Sequence, residues 1–119
     1  MTVRQGDIYF VDLADPCLSE PGYPHYVVVV QSNEFNDSDI RTVLVSCLTT
    51  NLNRANAPGN VLLAPGEGDL PEQSVVNVSQ TFTMDERDLD DRRGGLDYVR
   101  MRDIVAGIRR VLEGAQGLP

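Results

Sequence analysis

The first segment of the chain, Val3 to Leu13, contains the sequence GDIYFVDL, in which apolar side chains alternate between two sets. Two sets of side chains, Ile8 with Phe10 and Tyr9 with Val11, follow each other with the period of two that is typical of a β-strand. Both sets carry apolar residues, so we expect a strand that uses both of its faces.

A loop and a second strand come next. The segment ADPCLSEPGYP holds three prolines and one glycine in eleven residues, and this composition excludes regular secondary structure. The segment YVVVVQ, which follows His25, is β-branched and continuously apolar up to Gln31. This pattern is typical of a strand buried on both faces, so we place it at the centre of the predicted sheet.

The remainder of the chain predicts further strands and one helix. Residues 32–41, SNEFNDSDIR, predict a turn or mobile loop, and TVLVSCLT at Thr42 to Thr49 predicts the next strand. Two more strands are expected in NVLLAP and in SVVNVSQTFTM, the second with a polar middle. Apolar residues spaced by three and four between Leu96 and Leu112 predict an amphipathic helix, which Gly114 and Gly117 end.

This order of elements predicts a mainly β protein with a C-terminal helix. Five or more short strands without βαβ alternation favour a small antiparallel barrel or curled sheet with the helix packed on it. A chain of 119 residues without repeats or linkers suits one domain, residues 1–119. Because no apolar run approaches the ~20 residues that span a bilayer and the N-terminus lacks a signal-peptide pattern, we expect a cytoplasmic protein.

The charge balance bears on nucleic-acid binding. The chain has 18 acidic and 10 basic residues, a formal net charge of -8, whereas nucleic-acid-binding proteins usually carry a basic patch. Every basic residue is arginine, which suits phosphate but also follows from codon bias. Much of the acid lies in SNEFNDSD and TMDERDLDD. Screening beyond about 8 Å leaves a local arginine-lined groove possible if these segments lie elsewhere.

The sequence lacks the motifs of common cofactor sites. It contains no G-x-G-x-x-G, P-loop, H-E-x-x-H or EF-hand pattern. One histidine, His25, and two distant cysteines cannot form a standard zinc site, so we expect no metal and no cofactor. Cys17 and Cys47 lack the CxxC spacing, and we expect both to be free thiols. A Cys–His pair stays open, although nothing places a thiol beside His25.

Polar residues stand where predicted strands end or on one strand face, and small β-folds bind ligands at such places. They are Glu20, His25, Gln31, Thr49, Thr50, Asn51, Asn77, Ser79 and Gln80. Turn capping is an alternative role for each of them. His25 follows Pro24, whose effect on the backbone suits a positioned acid or base as well as a structural hydrogen bond.

The segments together resemble the MazF/PemK/Kid family of toxins, the ribonuclease halves of toxin–antitoxin pairs. They are, in order, RQGDIYFVDL, SEPG leading into VVVVQSN, VSCLTTN, SVVNVSQTFTMDERDL and the closing helix. The resemblance implies an SH3-like barrel, a homodimer and metal-independent cleavage of single-stranded RNA. It also implies an antitoxin whose extended acidic tail occupies the RNA groove.

The resemblance assigns residues to the site, with one departure from the family pattern. The family's loop usually reads S-E-x-G-x-x-R-P, and the last two positions are His25 and Tyr26 here, so the family's catalytic arginine is absent. The family's catalytic threonine corresponds to Thr49. Some members use a histidine and an acidic residue at the positions of Ser19 and Ser79, so that variant is absent as well.

Metal-free RNA cleavage requires a base for the 2′-hydroxyl, stabilisation of the phosphorane and an acid for the leaving 5′-oxygen. It yields a 2′,3′-cyclic phosphate and a 5′-hydroxyl. Imidazole serves as acid or base near neutral pH, whereas guanidinium stays protonated. We therefore expect His25 to act as base or acid, Thr49 to hydrogen-bond a phosphate oxygen and Arg54 to supply fixed positive charge. We expect the other polar residues named above, together with Tyr26, to contact RNA.

Two other functions stay open at this point. A toxin of the same fold that resembles CcdB would poison DNA gyrase through its C-terminal helix, although the final residues LEGAQGLP look like a helix stop and a tail. A weakened family member would bind RNA or antitoxin without cutting, and the missing arginine motivates that alternative.

Overall fold

The computed structural model describes residues 2–12 and 25–119. In these ranges it contains six strands and two α-helices: β1 (Asp7–Val11), β2 (His25–Val29), α1 (Asn33–Asn36), β3 (Thr42–Thr49), β4 (Val61–Leu62), β5 (Val75–Asp85), β6 (Arg92–Gly95) and α2 (Tyr98–Glu113). Short 3-10 helices lie at Leu52–Asn56, Glu67–Asp69 and Glu86–Asp88. No helix in the described part of the chain is long and apolar enough to cross a membrane.

The strands form one antiparallel sheet in the order β4-β5-β3-β2-β1-β6. The valine-rich β2 and its partner β3 therefore hold the two central positions, as the sequence predicts. One row of paired residues runs Tyr9, Val27, Cys47 and Asn77 across β1, β2, β3 and β5. The mainly β fold with a C-terminal helix agrees with the predicted fold class.

Each face of the sheet packs a hydrophobic core. The core under α2 includes Ile8, Val28, Leu48, Val76, Met101 and Ile104. The core on the other face includes Tyr9, Val11, Val27, Val45, Met84 and Leu89. Because side chains of a strand alternate between faces, β1 and β2 must be apolar at nearly every position to fill both cores.

The turn at Glu67–Asp69 curls the sheet by packing against β6, the strand at the opposite edge. The two backbones approach so closely that a Cβ on Gly94 would clash with the Gly68 carbonyl oxygen. Helix α2 holds the same turn, because Arg100 Nε and Nη2 donate to the two carboxylate oxygens of Glu67, each at 2.8 Å. The side-chain hydrogen bond from Arg100 holds the pKa of Glu67 below its ordinary value.

Three features differ from the sequence-based expectations. Residues 32–41, expected to form a turn or mobile loop, contain the short helix α1, Asn33–Asn36. Strand β6 was not predicted, because its sequence RRGG lacks apolar alternation and pairs with β1 through its backbone. The expectation of free thiols is wrong for Cys47, which is disulfide-bonded; Cys17 lies outside the described residues. Sequence spacing does not report which thiols a fold brings within bonding distance.

Candidate functional site

His25 and Thr49 lie at adjacent strand ends on one face of the sheet. The pairing of β2 with β3 joins Val27 to Cys47, and the same register, continued by two residues, reaches His25 and Thr49. The ladder itself ends at Val27 and Cys47, so His25 and Thr49 are the end residues of two adjacent strands and share one face. His25 is half-buried and Thr49 is 5% exposed. The two residues that were expected to be catalytic thus stand at the same end of the β2–β3 pair.

The segment after β3 turns sharply and presents polar groups beside this strand end. The Thr49 hydroxyl accepts a hydrogen bond from the Asn51 backbone N–H at 3.1 Å. Asn51 in turn caps the 3-10 helix Leu52–Asn56, its side chain accepting from the Asn53 N–H at 3.2 Å. Thr50, Asn51 and Arg54 are exposed. Within residues 2–12 and 25–119, Arg54 forms no ion pair.

A bulge in β5 provides the next set of polar side chains. Asn77 and Thr81 pair with consecutive residues of β3, so residues 78–80 are extra in β5. Bulges re-aim side chains and are frequent beside active sites. The bulge exposes Ser79, whose hydroxyl donates to Asn77 Oδ1 at 3.1 Å. Asn77 itself is buried, 5% exposed, on the same face as Thr49 and one row further along the sheet.

Asn60, which precedes β4, connects this bulge to the segment after β3. Its Oδ1 accepts from the Val78 N–H at 3.0 Å. Its Nδ2 donates to the Arg54 carbonyl at 2.9 Å and to Asn77 Oδ1 at 3.3 Å. Asn77 Nδ2 continues the chain by donating to Gln80 Oε1 at 2.9 Å. Sequence reasoning missed Asn60, because an asparagine after a glycine in a loop carries no signal of such a role.

Gln31 lies at the far end of β2. It is six residues from His25, about 20 Å at the rise of a strand. Its Nε2 donates to Asn36 Oδ1 at 2.9 Å and to the Thr42 carbonyl at 3.1 Å, and its Oε1 accepts from the Leu44 N–H at 3.2 Å. The structure therefore separates Gln31 from the other candidates and uses its amide to complete the ends of β2 and β3.

Tyr26 is not part of the arrangement around Thr49. Tyr26 follows His25 in β2 and so faces the opposite side of the sheet. There its ring meets Phe10 edge-on, with centroids 5.5 Å apart and an interplanar angle of 73°. Glu20 lies outside the described residues, as does Ser19.

Parts of the two acidic segments lie at the end of the sheet opposite Thr49. One contains α1, and the other begins at Asp85, which pairs with Thr42. This end holds five of the 18 acidic residues: Glu34, Asp37, Asp39, Asp85 and Glu86. Thr42 and Thr49 are seven residues apart, about 23 Å along a strand, which is roughly three Debye lengths at physiological salt. These carboxylates therefore exert little repulsion at the candidate site.

Asp91 lies instead near the His25 end of the sheet, because the Phe10 N–H donates to its carbonyl and the next residue, Val11, pairs with His25. Local ion pairs hold carboxylates at both places. Hydrogen bonds from Arg87 lower the pKa of Asp85 to about 2, and the side-chain hydrogen bond from Arg93 lowers the pKa of Asp91. In residues 2–12 and 25–119, no group of three His, Cys, Asp or Glu side chains could hold a metal ion.

Residues 4–112 match the family described as PemK-like, MazF-like toxin of type II toxin-antitoxin system. The chain belongs to this family. Similar relatives are the endoribonuclease MazF2 of Mycobacterium bovis and the endoribonuclease MazF6 of Mycobacterium tuberculosis. Each is 38% identical over 113 residues, which cover 95% of this chain and 99% of the relative.

Solved structures of family members share the fold of this PemK/MazF toxin. A mycobacterial endoribonuclease in complex with its cognate antitoxin superposes with a TM-score of 0.74 at 24% identity, covering 98% of this chain and 97% of that one. MazF of Deinococcus radiodurans gives 0.72 at 13% identity, covering 94% and 97%. The similarity confirms the predicted fold.

Proposed function

We propose that this toxin is an endoribonuclease that cleaves single-stranded RNA without a metal ion and leaves 2′,3′-cyclic phosphate and 5′-hydroxyl ends. The observation that carries the proposal is the placement of His25 and Thr49 at adjacent strand ends on one face. An exposed arginine and a polar bulge lie on the neighbouring segments. The relatives at 38% identity, each named an endoribonuclease, support the same reaction class.

Three side chains divide the chemistry among them. His25 acts as base or acid, since a half-buried imidazole at a strand end keeps access to solvent and to a bound strand. Thr49 donates its hydroxyl proton to a phosphate oxygen, and the hydrogen bond from the Asn51 N–H fixes the position of that hydroxyl oxygen. Arg54 supplies the charge that remains constant with pH and stabilises the phosphorane.

We choose the residues that contact RNA by the exposure of their side chains near Thr49. Thr50, Asn51, Ser79 and Gln80 are exposed or half-exposed around the strand end of Thr49, and we assign them to the bound strand. Asn77 is buried and acts by orienting its neighbours. We leave Gln31 and Tyr26 out of the set, since one lies at the far end of β2 and the other on the opposite face.

The partners extend the same proposal. We assign the toxin to the cytoplasm, as a homodimer that a cognate antitoxin neutralises. A solved relative in complex with its cognate antitoxin supports the antitoxin as a partner. Helix α2 supports the homodimer, because its exposed apolar residues Tyr98, Val105 and Leu112 recur every seven positions on one side of the helix.

The experiment is cleavage of a long RNA by the purified chain, in parallel reactions with EDTA and with Mg²⁺. Mapping the ends is expected to show cuts at a short recurring sequence, with cyclic phosphate and 5′-hydroxyl termini at equal rates in both buffers. Bound RNA without product would indicate a weakened family member. Trapped gyrase–DNA complexes from a parallel incubation with gyrase, with intact RNA, would indicate a gyrase poison instead.

A further inference from the structure

The segment that joins β3 to β4 carries Arg54 and has little apolar burial to hold it. None of the five residues of its 3-10 helix, Leu52–Asn56, is buried, and Arg54 itself is exposed. A segment with few buried apolar contacts opens locally at a low cost in free energy. The position of Arg54 therefore depends on the hydrogen bonds that tie this segment to the sheet.

Two side-chain hydrogen bonds tie the segment, one near each end. At its start, the Asn51 N–H donates to the Thr49 hydroxyl at 3.1 Å. At its other end, Asn60 Nδ2 donates to the Arg54 carbonyl at 2.9 Å. The same carbonyl accepts from the Ala57 N–H at 3.1 Å, which closes the 3-10 helix. The bond from Asn60 thus acts on the backbone of Arg54 itself.

The backbone of Asn60 is fixed on both sides. Before it, Gly59 packs against Gly107 of α2, and a Cβ on either glycine would collide with the backbone of the other. After it, Val61 of β4 pairs with Val76 of β5. Contact with the helix and pairing with the sheet therefore hold Asn60 in place, so its side chain can in turn hold a neighbouring segment.

The Asn60 amide satisfies its neighbours in one orientation only. Its Oδ1 accepts from the N–H of Val78, a buried residue of β5, at 3.0 Å, and a buried N–H without an acceptor is destabilising. The Arg54 carbonyl accepts hydrogen bonds and cannot donate them, so the amide nitrogen must face it. Asn77 Oδ1, 3.3 Å from the same nitrogen, favours the same orientation. Asn60 thus joins the Arg54 segment to β5.

We propose that Asn60 is a positioning residue that sets the place of Arg54 by anchoring its backbone to β5. A segment that is already ordered does not pay its ordering entropy when RNA binds. A displacement of about 1 Å in a group that acts on the reacting phosphate can cost about a hundredfold in rate. The inference rests on the proposed RNA cleavage and on the role given there to Arg54.

A double-mutant cycle tests whether Asn60 acts through Arg54. Asn60→Ala is expected to lower kcat/KM for a short RNA by about tenfold when Arg54 is present. In an Arg54→Ala background the same substitution should lower it by less than about twofold, because no guanidinium is left to position. Substitutions at independent positions would instead lower it by equal factors in both backgrounds, to within about twofold.

Asn36→Ala is the matched control. Asn36 is half-buried like Asn60, and its amide also makes three hydrogen bonds, all to Gln31 and Asn33. These bonds lie at the end of β2 that is remote from His25. The control should leave kcat/KM within about twofold of its own background, with Arg54 present or replaced.

A second measurement needs no RNA. Nitrogen-15 relaxation of the parent is expected to give backbone order parameters of about 0.85 for residues 52–57, as for a rigid segment, and values that fall toward about 0.6 in Asn60→Ala. Asn36→Ala should keep the parent values at these residues. Thermal melts of each variant verify that the proteins compared are folded.

The outcomes separate this role from the proposed function. Equal losses of kcat/KM in both backgrounds overturn the inference, as does an Arg54→Ala protein that cleaves like the parent. Unchanged order parameters in Asn60→Ala overturn it whatever the RNA result. A parent that cuts no RNA overturns the proposed function and removes the catalytic role of Asn60 with it, while the order parameters still report whether Asn60 holds the segment.

A second variant keeps the test decisive if Asn60→Ala does not fold. Asn60→Ser retains a hydroxyl that can accept from the Val78 N–H, but this shorter side chain cannot also reach the Arg54 carbonyl. It enters the same cycle with the same expectation, a loss of kcat/KM that depends on the presence of Arg54. Equal factors with and without Arg54 would again overturn the inference.

Discussion

Replacing Thr49 with valine removes one hydroxyl and keeps the β-branched shape that a strand favours. If this hydroxyl stabilises charge on the phosphate, the cleavage rate constant should fall by about ten- to a thousandfold. The hydroxyl also accepts from the Asn51 N–H at 3.1 Å, and losing one such bond costs roughly 1 kcal/mol. For a chain of this size each bond lost in this way lowers the unfolding midpoint by about 4 °C, and a thermal melt of the variant verifies that it is folded in the assay.

Single-turnover cleavage of a short RNA, with enzyme in excess, measures the effect on the chemical step. Thr49→Ser retains a hydroxyl and should stay within about tenfold of the parent. Thr42→Val makes the same change at the opposite end of β3, where the residue is exposed, and should leave the rate unchanged. Parent-like cleavage by Thr49→Val, or an equal loss in Thr42→Val, would refute the role given to Thr49.

Two further predictions concern Arg54 and Glu67. In a Thr49→Val background, Arg54→Ala should weaken RNA binding and make the slope of log K against log salt shallower by about 0.7, as for one lost phosphate contact on a single strand. The control Arg102→Ala, on α2, should leave the slope unchanged. Equal slopes for the proteins with and without Arg54→Ala would contradict the role given to Arg54. Glu67→Gln should lower the free energy of unfolding by about 1–3 kcal/mol at pH 7, and an Arg100→Ala double-mutant cycle should assign most of that loss to the pair. Folding lowers the pKa of Glu67. The stabilisation that its carboxylate provides is therefore fully present above the unfolded pKa of about 4.3 and disappears as the pH falls through the folded pKa. Chemical denaturation from pH 6 to 3 should show the free energy of unfolding of the parent falling toward that of Glu67→Gln.

Much of the fold was predictable because local patterns determine it. The valine run of β2, the alternation in β5 and the helical spacing of α2 each follow from which faces are buried. Strand β6 was not predictable, since Arg92–Gly95 joins the sheet through backbone bonds and a glycine approach to the turn at Glu67–Asp69. No residue pattern reports such a contact.

The site was predictable in part. His25 and Thr49 were candidates from their positions at strand ends and from the family resemblance, but their proximity depends on the β2–β3 register, which is a non-local property. Gln31 shows the opposite case, because a polar residue that ends a buried strand can complete the hydrogen bonds of that strand instead of binding a ligand. The role of Asn60 in linking the bulge of β5 to the segment after β3 could be recognised only from its three hydrogen bonds in the folded structure.

The most direct test of the account is the pH dependence of RNA cleavage in EDTA by the parent, His25→Ala and His25→Arg. The account predicts that the parent rate depends strongly on pH between about 5 and 8. It predicts a slow His25→Ala and, with the family's arginine restored, a His25→Arg rate that varies less with pH. Cleavage by His25→Ala as fast as by the parent throughout this range would contradict the central claim that His25 takes part in the reaction.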